Sequence, residues 1–154
     1  MNQKKIRILL ADDDIDDCIF FTEAINELEM NVDLHIVHDG QELLQTLSQG
    51  NDLPDVVFMD LNMPRKNGEE CLAEITHSVH TQKLPVVVYS TSFHPDVIDK
   101  LYASGAFHYI RKPAEFSLLK RVIKQAVDSM NNGAALSSGR EDFVITGLEE
   151  TQPK

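Results

Sequence analysis

Four places in the sequence carry side chains able to handle a phosphoryl group: the run Asp12-Asp13-Asp14, then Asp60, Ser90 and Lys112. Carboxylates gathered at one spot repel one another unless a hard cation joins them, and Mg²⁺ (or Mn²⁺) suits oxygen ligands with waters retained. A single carboxylate such as Asp60 can accept a phosphoryl group and become an aspartyl phosphate. The equatorial oxygens of that group need stabilising, and a metal, the Lys112 ammonium and the Ser90 hydroxyl can each take one. These residues lie far apart along the chain. Their chemistry requires a fold that gathers them.

Short apolar runs alternate with helical patterns over most of the sequence. The runs are 6–11, 34–37, 56–59, 86–89 and 108–110. Helices are expected over 14–30, 41–47, 69–78 and 95–104, with a last one opened by Pro113 and ending near Asn132-Gly133. In the first helix Ile15, Ile19, Ala24, Ile25 and Leu28 recur at helical spacing. Strands that read as continuous Val, Ile and Leu belong to a parallel sheet covered on both faces. Right-handed crossovers then favour a doubly wound α/β sheet. Ligands of such sheets sit beyond the carboxyl ends of the strands. The Asp12 run, Asp60, Ser90 and Lys112 each stand at such an end.

The segments LLADDD, FMDLNMPRKNG, VVVYSTS and YIRKP, in that order, resemble the receiver domains of two-component response regulators, over residues 5–132. The resemblance implies a single-domain, chemotaxis-regulator-like protein with the flavodoxin-like fold, a five-stranded parallel sheet in the order 2-1-3-4-5. It implies that Asp60 is the phosphoacceptor. Asp12 and Asp13 form the acidic metal pair, Asp13 being the more direct ligand, and Asp60 and the backbone carbonyl of Asn62 complete the metal set. Ser90 is the hydroxyl residue, Lys112 the lysine and Tyr109 the aromatic switch. The Lys112-Pro113 bond resembles the family's cis turn. Thr91 departs from the small residue usual after the hydroxyl.

The function so implied is a stand-alone receiver that takes a phosphoryl group from a histidine kinase or histidine phosphotransfer protein. About two added negative charges on Asp60 would draw Ser90 inward and let Tyr109 turn in behind it. The surface of the fourth helix, fifth strand and fifth helix would change, with Tyr102 and Phe116 meeting a downstream protein target or the next member of a phosphorelay, and Val97 and Leu101 either joining them or belonging to the core. The protein's own chemistry would be confined to self-catalysed phosphotransfer and dephosphorylation; it would not be an enzyme. An aspartyl-phosphate hydrolase would need a second Asp as general acid where Asn62 stands. An unphosphorylated scaffold would need none of Asp12, Asp13, Asp60, Ser90 and Lys112.

The 154 residues hold 14 Lys and Arg against 25 Asp and Glu, a net charge of -11. That balance argues against nucleic acid or an anionic membrane as the direct partner. Cys18 and Cys71 make no disulfide framework and fit reduced thiols in the cytoplasm. Asp14, Asp16 and Asp17 are explained as a helix N-cap and first-turn anions. Residues 1–132 are read as the receiver domain and 133–154 as a C-terminal tail. The tail is expected to be flexible, or to pair Phe143-Val144-Ile145 with a free sheet edge on the second-strand side or with a partner copy, giving a homodimer.

Overall fold

The computed structural model describes residues 5–49, 52–131 and 140–147. Strands and helices alternate as β1 (Ile6–Ala11), α1 (Ile15–Glu27), β2 (Val32–Val37), α2 (Gly40–Gln49), β3 (Val56–Met59), α3 (Gly68–His77), β4 (Val86–Ser90), α4 (Pro95–Ala103), β5 (His108–Arg111) and α5 (Phe116–Asn131). A 3₁₀ turn, Arg140–Asp142, then leads into a short β6, Val144–Ile145. Every strand pair is parallel, and the sheet order is β2-β1-β3-β4-β5-β6. The expected order 2-1-3-4-5 is present with one strand more.

Successive residues of a strand point to opposite faces, so each central strand supplies two cores. Leu9, Val57, Met59, Val88 and Tyr109 pack beneath α2, α3 and α4. Ile8, Leu10, Phe58, Val87 and Ile110 pack beneath α1 and α5. The helices begin where capping chemistry allows. The Asp14 carboxylate accepts the Asp17 N–H at the start of α1, and Asn67 and Glu70 form a reciprocal capping box on α3.

Spacing alone misjudges one face of α1. Ile15 and Ile19 stand in solvent, 58% and 52% exposed, while Cys18, Phe21, Ala24 and Ile25 are buried. Phe21 decides the rotation of the helix: its ring meets Phe58 and Tyr89 edge-on at 5.1 and 5.6 Å.

The tail expectation is corrected in its location. Val144 and Ile145 pair with Tyr109 and Ile110 of β5, at the opposite end of the sheet from β2. The reason is packing: at this edge Phe143 joins the core that holds Tyr109, and Ile145 joins the core beneath α1 and α5. Phe143 is buried at 1% exposure, its ring 5.2 Å from that of Tyr102. The Phe143 carbonyl accepts the Tyr109 N–H at 3.0 Å and a bond from His108 Nδ1 at 3.0 Å, while His108 Nε2 lies 3.1 Å from Ser129 Oγ. Arg140 pairs with Asp99 at 2.8 Å, and Arg121 donates to the Gly147 carbonyl at 3.0 Å. Gly147 has φ 78°, and a Cβ there would come within 2.9 Å of Val122 Cγ1, so both conformation and space require glycine.

Two outcomes follow from β6. Phe143→Ala removes a buried aromatic ring and is expected to lower unfolding stability by about 3–4 kcal/mol in urea titrations. Burial lowers the His108 pKa below its ordinary 6.5. The unfolded chain therefore binds this proton first, and the stability that neutral His108 contributes is full above about 6.5 and lost as pH falls through the folded value. His108→Gln should flatten that part of the stability–pH curve measured by denaturant melts.

Candidate functional site

Parallel strands end on one rim, and the backbone ladder fixes each residue that follows them. The Asp12 N–H donates to the Val37 carbonyl at 3.0 Å, the Asp60 N–H to Ala11 at 2.9 Å and the Lys112 N–H to Ser90 at 2.9 Å. Gly68 lets the loop after β3 close under Asp60. A Cβ there would come within 2.7 Å of the Asp60 carbonyl, and the Gly68 N–H donates to the Leu61 carbonyl at 2.7 Å.

Lys112 stands at the centre of the rim. Its ammonium reaches Asp12 Oδ2 at 2.8 Å, Asp17 Oδ2 at 2.7 Å and Asp60 Oδ2 at 3.1 Å, with the lysine side chain 7% exposed. Burial works against the charged lysine, but the hydrogen bonds to Asp12 and Asp17 and the charge of Asp60 outweigh it, and its pKa stands above the ordinary value. Asp12 is wholly buried; burial pushes its pKa up to about 6, against the pull of Lys112 and of the Asp14 N–H on its other oxygen. Its carbonyl is met by His38 Nδ1 at 3.1 Å and the Cys18 thiol at 3.5 Å. Both cysteines are free and buried, and burial raises Cys18 to about 11 and Cys71 to about 12.

Asp13 is exposed beside them. One carboxylate oxygen from each of Asp12, Asp13 and Asp60 lies within 4.8 Å of the others, a grouping that could hold a metal ion. The donor set, all oxygen and all anionic, fits a hard divalent cation. Asn62 adjoins it, its N–H donating to Asp60 Oδ1 at 3.3 Å and its side-chain amide reaching Ser92 Oγ at 3.5 Å. Across the rim, Ser90 is fully buried and its Oγ accepts the Ser92 N–H at 3.1 Å. The Tyr109 hydroxyl donates to the Ser92 carbonyl.

A family model for the response regulator receiver domain matches residues 8–124. The chain belongs to that family. This receiver domain is 30% identical over 122 residues to the probable methanogenesis regulatory protein FilR2 of Methanothrix harundinacea, covering 77% of this chain and 79% of the relative. In structure it is similar to the phosphorylated cyanobacterial phytochrome response regulator RcpA, with TM-score 0.77, 31% identity and coverage of 84% of this chain and 96% of the other. The Mn(2+)-bound form of response regulator Rcp1, a protein of Synechocystis, matches with TM-score 0.71 and 29% identity over 80% of this chain and 92% of that one. The fold is flavodoxin-like, as these neighbours are.

The receiver brings Asp12, Asp13, Asp60, Asn62 and Lys112 together on one rim, with Ser90 on the strand beside them. One expectation changes. The Lys112-Pro113 bond is trans, since the described residues hold no cis peptide; Lys112 is held by its N–H on Ser90 and by three carboxylates. Tyr109 lies inward at 0% exposure, its hydroxyl donating to the Ser92 carbonyl. Asp17 was missed. A helix-start aspartate has a sufficient local explanation, and the available signal was its place one helical turn beyond Asp13, facing back over the strand ends.

Metal binding requires ionised carboxylates. Mn²⁺ affinity, read by calorimetry, is expected to fall about tenfold per pH unit once pH drops below the Asp12 value of about 6. Asp12→Asn should remove that dependence.

Proposed function

We propose that this protein is a stand-alone response regulator in which Asp60 takes a phosphoryl group from a phosphohistidine donor, a histidine kinase or histidine phosphotransfer protein. The observation that carries the reading is the Lys112 ammonium bonded to Asp60 and Asp12 at the strand ends, beside the acidic trio of Asp12, Asp13 and Asp60. Near-complete coverage of RcpA supports the stand-alone part.

In the proposed transfer an Asp60 carboxylate oxygen attacks phosphorus, the bond from phosphorus to the donor imidazole breaks, and its electron pair stays with that ring. Lys112 moves one N–H from Asp60 to a phosphoryl oxygen, and the Ser90 hydroxyl, whose oxygen accepts the Ser92 N–H, turns its own hydrogen to another. Asp12, Asp13, Asp60 and the Asn62 carbonyl would hold Mg²⁺ or Mn²⁺, which when bound supplies positive charge to the phosphoryl oxygens. Hydrolysis of the aspartyl phosphate would return the site to its starting state.

Output is assigned to the surface of α4, β5 and α5, with β6 now lying along the β5 edge. Leu101 is core, Val97 half-buried, and Phe116 packs on Phe20 at 5.2 Å. Tyr102 at 39% exposure is thus the apolar residue offered to a protein target. Residues 1–132 are taken as the receiver unit and 133–154 as an added segment, whose described part includes β6; a homodimer is included in the reading. No helix among the described residues is long and apolar enough to cross a membrane. With both thiols free, we place the protein in the cytoplasm.

Incubation with acetyl phosphate and Mg²⁺ should add one phosphoryl mass, and Asp60→Asn should abolish it. Full labelling of that variant would overturn the assignment.

A further inference from the structure

An ammonium has three N–H donors, and Lys112 spends them on three carboxylates. Two of those, Asp12 and Asp60, also belong to the trio able to hold a cation; the third, Asp17, does not. A lysine and a divalent ion leaning on the same two carboxylates repel each other and divide the same oxygens. Where the ammonium rests therefore decides how open the cation site is. The lysine stem cannot decide this itself, being four flexible carbons with no rigid fork at the end.

Asp17 can. It is the third residue of α1, and its own N–H is tied to Asp14 Oδ1 at 3.1 Å. A negative charge is well placed in the first turn of a helix. Its contact with Lys112, 2.7 Å, is shorter than the 3.1 Å to Asp60. At 33% exposure its side chain stands on the solvent side of a lysine that is otherwise enclosed.

We propose that Asp17 is a positioning residue: it draws the Lys112 ammonium toward α1, leaving Asp12 and Asp60 open to a divalent cation and the lysine poised for the phosphoryl group. The second half rests on the phosphoacceptor reading of Asp60; the first half does not. Asp17 touches neither the reacting atoms nor the metal trio and acts through Lys112.

The test is a double-mutant cycle on the full chain: wild type, Asp17→Asn, Lys112→Met and the double variant, each titrated with Mn²⁺ by calorimetry without any phosphodonor. Asp17→Asn should weaken Mn²⁺ binding roughly tenfold when Lys112 is present and at most about twofold when it is methionine, since nothing then remains to be redirected. Equal weakening in both backgrounds would mean simple loss of a nearby charge and would overturn the proposal. Asp17→Glu, which keeps the carboxylate, should recover most of the affinity. If Lys112→Met lacks the wild-type far-UV spectrum, this variant decides, and an affinity no better than that of Asp17→Asn overturns the proposal. Labelling by acetyl phosphate at saturating Mg²⁺ should slow roughly tenfold in Asp17→Asn and recover in Asp17→Glu; an unchanged rate counts against the positioning of the lysine. Failure of wild type to be labelled at all would sink the phosphoacceptor reading, with the Mn²⁺ cycle still deciding on Asp17.

Discussion

The Lys112 ammonium, enclosed among Asp12, Asp17 and Asp60, is the interaction on which the rim of this receiver depends. Three carboxylates brought this close would repel, and the charge placed among them is what lets β1, β3 and the start of α1 converge. Breaking such a buried set by removing one partner is far more damaging than the net worth of any pair suggests. The same group ties the last canonical strand of the sheet to the first. A parallel sheet supplies the convergence of strand ends; the lysine makes that convergence tolerable.

Much of this was legible because parallel strands announce themselves. Runs such as Val56 to Met59 and Val86 to Tyr89 are apolar without a break, and both are buried on both faces. Once they are placed, Asp60 and Lys112 must stand on the rim. What escaped did so for physical reasons. Ile15 and Ile19 fit a helical stripe as well as Cys18 and Phe21 do, and ring packing against Phe58 chose between them. A two-residue strand has no period to read, so Phe143 to Ile145 showed an aptitude for pairing without naming the edge. Asp17 hid behind its adequacy as a helix-start anion.

Tyr109 joins two regions that the sequence treats as separate. Its hydroxyl is bonded at the rim to Ser92, in the loop that follows β4, and its N–H is bonded to the Phe143 carbonyl before β6. Its ring lies in the core between these two ends, with Phe93 6.4 Å away and the Arg111 guanidinium 4.9 Å over Phe93. A single residue therefore meets the rim, the core beneath α4 and the added strand.

The brevity of β6 bears on how such a protein behaves at high concentration. A sheet that ended at β5 would present the backbone of His108 to Arg111 as an open template for another chain, flanked by apolar Phe143-sized space between α4 and α5. Phe143 fills that space with its ring, yet among the described residues β6 contributes just two residues of ladder, Val144 and Ile145. So short a border offers few amide and carbonyl groups in line for a stranger to copy, and short border strands are one means by which soluble proteins avoid edge-to-edge aggregation.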